Sequence, residues 1–140
     1  MRAVVDTNVF VSALLVDVGT PAAVLRSWRR GEFDVVTSPE LMAELRTVLD
    51  RPARSTRLRN SPLELLLRLE VAAFEVHPGE RIEVIADDPS DNRLLEAGVA
   101  GDADFIVSGD GHLLSLGSYG GVAIVTPARF AAILAEQRSR

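Results

Sequence analysis

Apolar positions along the chain fall into two patterns. Short continuous runs rich in Val and Ile read as strands near Ala3–Asp6, Phe33–Thr37, Ile82–Ile85, Asp104–Ser108 and Val122–Val125. Between them, apolar residues recur every three or four positions. This spacing predicts helices near Val9–Val16, Pro21–Arg30, Pro39–Leu49, Pro62–Phe74, Pro89–Ala100, His112–Leu116 and Ala128–Gln137. Pro21, Pro39, Pro62 and Pro89 sit at or near first turns, where a missing N–H costs least. Continuously apolar strands alternating with helices imply a parallel sheet covered on both faces. The expected fold is α/β, a three-layer α/β/α sandwich around a central parallel sheet of about five strands. No repeat, linker or low-complexity tract divides it, so residues 1–140 read as one domain. The least regular stretch, Asp50 to Ser61, contains Pro52 and is rich in Arg and Ser. It reads as an exposed connection.

Open parallel sheets bind ligands outside the carboxyl ends of their strands, where the strand order reverses. That edge is rich in acids here. Asp6 ends the first apolar run, Asp110 follows the run Asp104–Ser108 through Gly109, and Asp87, Asp88 and Asp91 follow the run near Val84. Asp88 and Asp91 fit a helix cap and its third-position acid, around Pro89. Asp91 has a further property: Leu94, Leu95, Gly98 and Val99 share its helical face, so it belongs to an inward stripe. Glu44 flanks the apolar face formed by Leu41, Leu45, Val48 and Leu49, whereas Glu40 belongs to the first turn and suits the helix dipole. Asp110 can cap the short helix after it, yet it also follows a buried strand, as Asp6 does. Asp102 and Asp104 precede their strand and fall at the opposite edge.

Composition changes what can balance these acids. The chain has no Lys; all 15 basic residues are Arg, and none falls where it would neutralise the four acids. Without Cys, and with only His77 and His112, disulfides, thiol chemistry and a multi-histidine zinc site are excluded within one chain. Two carboxylates about 5 Å apart repel by roughly 3 kcal/mol at an effective dielectric near 20. Four converging acids, Asp6, Glu44, Asp91 and Asp110, therefore protonate, splay or bind a cation. All-oxygen ligation suits Mg²⁺ or Mn²⁺, one ion or two. Such ions keep positions open for water and phosphate oxygens and support phosphodiester hydrolysis. Removing four carboxylates from the net charge of −5 leaves the rest of the chain near neutral. Within it, Arg46, Arg51, Arg54, Arg57 and Arg59 face a single acid, Asp50, between Leu45 and Asn60. Arg51, Arg54, Arg57 and Arg59 are candidates to hold RNA phosphates, with a solvated connection as the alternative. No apolar run approaches the roughly 18–20 residues of a membrane span. Asp6 and Asn8 interrupt the place where a signal peptide would be apolar, so a cytoplasmic location is expected.

The segments DTNVFVSALL, TSPELMAEL, DPSDNRLLEAGVAGDADFIVSGD and VTPARF, in this order, resemble a PIN domain. Within that family they look most like the VapC-like ribonuclease toxins of toxin–antitoxin pairs. The resemblance implies a metal-dependent endoribonuclease whose acidic quartet is Asp6, Glu44, Asp91 and Asp110. It also implies that Asn8, Asn92 and Ser108 orient water or the acids. Homodimerisation and inhibition by a cognate antitoxin protein are implied in the same way. The chain departs modestly from the pattern: Gly98 and Gly101 stand where bulkier residues are common, which would loosen their helix.

Other functions on the same fold class fare worse. A phosphoacceptor receiver and a haloacid-dehalogenase-type phosphatase both need a Lys, and the latter needs Asp where Asn8 stands. A dinucleotide fingerprint fails because Gly109-Asp110-Gly111 continues to Leu114, without the third Gly. The alternative from another class is a catalytically silent PIN-fold module that binds RNA or protein. If the arginines hold phosphates, replacing Arg54, Arg57 and Arg59 by Ala weakens RNA binding and flattens its salt dependence. Filter binding across a salt series reads both, and unchanged affinity and slope would remove these arginines from the interface.

Overall fold

The computed structural model describes residues 1–51 and 58–140. In chain order the elements are β1 (Arg2–Val5), α1 (Thr7–Leu15), α2 (Thr20–Arg29), β2 (Asp34–Thr37) and α3 (Pro39–Leu49). After residues 52–57 come α4 (Pro62–Ala72), β3 (Phe74–Glu75), α5 (Asp91–Ala100) and β4 (Phe105–Val107). The chain finishes with α6 (Gly111–Leu116), β5 (Ser118–Tyr119), β6 (Val122–Val125) and α7 (Pro127–Arg138). One sheet runs β3-β2-β1-β4-β6-β5, parallel throughout except for the β5–β6 pair.

The strand residues divide between two cores because successive side chains leave opposite faces of a sheet. Ala3, Val5, Val35 and Val107 join Phe10, Leu14, Trp28, Leu45, Leu65 and Phe130 on one face. Val4, Val36, Ile106 and Ile124 join Leu94, Leu95, Ala97 and Leu113 on the other. The expected α/β/α sandwich is therefore present. Ser38, Ser61 and Thr126 cap α3, α4 and α7 by accepting from the amides of Leu41, Glu64 and Arg129, with Pro following each cap.

Three elements differ from the sequence reading. Ile82–Ile85 forms no ladder; the strand beside β2 is Phe74–Glu75, which begins on the last residue of the stretch read as the helix Pro62–Phe74. Ile82 and Ile85 are buried against α5 all the same, so the apolar run marked core contact and not sheet membership. β5 is too short to produce a pattern. It forms a hairpin with β6 through Gly120 and Gly121, whose φ of 56° and 84° suit a two-residue turn closed by glycines. Helix α5 begins at Asp91 and not at Pro89.

Gly98 and Gly101 have a packing role instead of loosening α5. A Cβ at Gly101 would stand 2.5 Å from Cγ1 of Val36, and one at Gly98 would stand 3.3 Å from Cδ1 of Ile106. Their absence of a side chain lets α5 approach β2 and β4. Gly101→Ala is expected to destabilise the fold by about 1–3 kcal/mol through overpacking. Gly79→Ala, with open space around it, serves as the control in urea unfolding.

Candidate metal centre

The chain leaves β1 toward β2 on one side and later returns to β4 on the other, so the strand order reverses between β1 and β4. Asp6 caps the end of β1 and its amide donates to the carbonyl of Val107 in β4 at 3.0 Å. Beyond Val107, Ser108 is fully buried and its hydroxyl donates to Asp6 Oδ2 at 2.7 Å. Ser108 Oγ in turn accepts from the amide of Asp110 at 3.0 Å. One hydroxyl thus ties the two acids of neighbouring strands together.

Asp110 is the N-cap of α6 and accepts from the amides of His112 and Leu113 at 2.8 and 3.3 Å. The capping role and the cluster role therefore coincide in one side chain. Asp91, in the first turn of α5, is only 5% exposed. Asp88, in the turn before it, accepts from the hydroxyl of Ser90 at 2.6 Å, while its carbonyl accepts from the amide of Asp91. Asp88, Asp91 and Asp110 each offer a carboxylate oxygen, all within 4.8 Å of one another. Glu44, half-buried on α3, accepts from the hydroxyl of Thr7 at 3.0 Å.

The ionisation of these acids reflects their crowding. Burial, reinforced by the charges of Asp110, Asp88 and Asp6, pushes Asp91 up to about 7. Burial also raises Asp6, against the lowering effect of Ser108, and raises Glu44, against that of Thr7. Asp110 moves down: its partial burial is outweighed by the amides of Leu113 and His112 and by Asp91. Near neutrality Asp91 in the metal-free cluster is accordingly only partly ionised. Asp91 Oδ2 is buried with no hydrogen-bond partner among the described residues. An orphaned carboxylate oxygen beside two further carboxylates is a donor set that fits a hard divalent cation. Asp88, Asp91 and Asp110 would hold it, with Asp6 beside them.

Of the residues singled out by sequence, Asp91 and Asp110 lie in the close cluster, and Asp6 and Glu44 adjoin it electrostatically. Ser108 bridges two of the acids. Asn92 departs from its expected orienting role. Its amide donates to the carbonyl of Ile85 at 2.8 Å and its oxygen accepts from the Ile85 amide at 2.9 Å, so both polar atoms are occupied. Asn8 is exposed, with no side-chain hydrogen bond among the described residues. Arg51 and Arg59 are exposed, while Arg54 and Arg57 lie outside the described residues. Sequence reasoning missed Asp88, which looked like a helix cap, and Thr7, whose pairing with Glu44 spans 37 positions. Arg93, two residues after Asp91, pairs with Glu96, and no described Arg forms an ion pair with the cluster.

A family model described as PIN domain matches residues 2–112. An uncharacterized protein of Methanocaldococcus jannaschii is 28% identical over 118 residues, covering 83% of this chain and 75% of that protein.

The shift at Asp91 has a definite sign. A carboxyl raised from 3.8 to about 7 favours the folded state while protonated, and that contribution is lost as pH rises through 7. Without metal, Asp91→Asn should melt above the wild type at pH 8, by roughly 3 °C or more, with the gap closing toward pH 5. Added Mn²⁺ should raise the wild-type melting temperature and leave the variant unmoved. Equal melting at pH 8 would show that the buried charge carries no penalty.

Proposed function

The chain belongs to the PIN domain family, whose members are typically metal-dependent nucleases, and from that premise we propose that it is an Mg²⁺- or Mn²⁺-dependent endoribonuclease. The observation that carries this reading is Asp91 Oδ2, buried and unpartnered within a cluster of three carboxylates at the strand-order reversal. A divalent ion held there would supply an activated water and charge stabilisation at a scissile phosphate.

The chain's own residues prepare that site. Ser108 holds Asp6 and Asp110 at a fixed separation, Thr7 holds Glu44, and the α6 amides hold Asp110 ionised. Ligands locked by such hydrogen bonds need little rearrangement when a cation arrives. The clustered carboxylates repel a phosphodiester, so substrate binding would be coupled to metal binding.

The motifs DTNVF, SPELMAEL, DPSDNRLL and SGD further support a toxin role in a cytoplasmic toxin–antitoxin pair. On this reading the protein is a homodimer held in check by a cognate antitoxin. No single described helix is long and apolar enough to cross a membrane.

Incubation with a panel of structured and single-stranded RNAs and Mn²⁺ tests the nuclease. Wild type should cut, while Asp6→Asn and Asp110→Asn should lose at least about 100-fold, the scale of removing a transition-state stabiliser. Equal cutting by wild type and both variants would overturn the assignment. Absence of cutting with intact Mn²⁺ binding would favour the catalytically silent binding module.

A further inference from the structure

One buried ion pair lies outside the acid cluster and is not needed to explain it. Glu96 on α5 is 5% exposed, and its Oε1 lies 2.8 Å from Nε of Arg93, one turn earlier. Both side chains also grip the main chain of Ile82. Glu96 Oε2 accepts from the Ile82 amide at 2.7 Å, and Arg93 Nη2 donates to the Ile82 carbonyl at 3.1 Å. Three residues on, Asn92 grips both main-chain groups of Ile85. The segment Ile82–Ile85 therefore receives from α5 side chains the hydrogen bonds that a sheet neighbour would supply.

The pair reaches a third element as well. Glu40, in the first turn of α3, lies 3.8 Å from Arg93 and 3.1 Å from Arg81. The network thus joins α3, which carries Glu44, to α5, which carries Asp91, and to the segment leading into Asp88. A buried ion pair is a weak source of stability, because desolvating both charges offsets their attraction. What it supplies here is geometry.

We propose that Arg93 and Glu96 are positioning residues that hold the Ile82–Asp88 segment against α5 and so place Asp88 beside Asp91 and Asp110 for cation binding. This rests on the metal-dependent reading above. Carboxylates that must converge within 4.8 Å lose affinity when one of them drifts by an ångström or so.

Two double variants separate positioning from folding. In Arg93→Met with Glu96→Leu, apolar groups of similar size fill the space and the grip on Ile82 is lost. In Arg93→Gln with Glu96→Gln, the charges go but the amides can still donate to and accept from Ile82. Mn²⁺ binding is read from the electron paramagnetic resonance signal of the free ion, beside the melting temperature of the metal-free protein. The apolar pair should bind Mn²⁺ about 10-fold or more weakly while melting cooperatively near the wild-type temperature. The Gln pair should keep most of the affinity. Wild-type affinity in the apolar pair overturns the proposal. So does an equal loss in both variants that follows a fall in melting temperature. Failure of the wild type itself to bind Mn²⁺ overturns the metal-dependent reading and this proposal with it.

Discussion

The structure depends on one electrostatic constraint: carboxylates gathered where β1 and β4 end, in a place that is partly closed to water. A parallel sheet whose strand order reverses there leaves a crevice beyond both strands. Into it come Asp6 from β1, Asp110 after β4, and Asp88 and Asp91 from the start of α5. Like charges this close resist ionising together, and in the metal-free protein burial and its neighbours raise Asp91 to about 7. Much of the surrounding hydrogen bonding exists to hold this arrangement. Ser108 and Thr7 stiffen the acids from behind without neutralising them.

The second organising element is α5. It supplies Asp91 to the crevice, packs Leu94 and Leu95 into the core, and comes close to the sheet because Gly98 and Gly101 remove the obstruction at Ile106 and Val36. Its polar residues Asn92, Arg93 and Glu96 serve the neighbouring irregular segment and not the crevice. A single helix thereby fixes one acid directly and bears on another through the main chain. This explains how so many polar groups can lie buried beside an apolar core: among the described residues nearly all are hydrogen-bonded, and the exceptions are Asp91 Oδ2, in the acid cluster, and Arg93 Nε, at ion-pair distance from Glu96.

Much of this was legible in the residues. Strands β1, β2, β4 and β6 declare themselves through continuous Val and Ile runs, because both faces of the sheet are covered. Asp6 and Asp110 stand out because each interrupts or follows such a run, and Asp91 because its helical neighbours are apolar. The illegible parts share a cause. β3 and β5 have two residues each, too few for any periodicity, and they form only because longer strands offer an edge. Ile82–Ile85 has a strand's composition, but β3 occupies the position beside β2 and the main chain of Ile82 and Ile85 is bonded by α5 side chains instead. Asp88 and Asn92 look alike in sequence, as short polar residues at a helix start. Only the path of the turn sends one toward the other acids and the other toward Ile85.

The sequence by itself determined the fold class, the family and most of the candidate acids, because burial period and strand ends are local properties; Asp88 was hidden behind its likeness to a helix cap. The tertiary structure decided which acids meet. Contacts such as Asp6 with Ser108, Thr7 with Glu44 and Glu96 with Ile82 depend on strand order and on how closely α5 packs. Those are outcomes of long-range packing, in which the close approach at Gly101, where a Cβ would stand only 2.5 Å from Val36 Cγ1, counts for more than any residue's own preference.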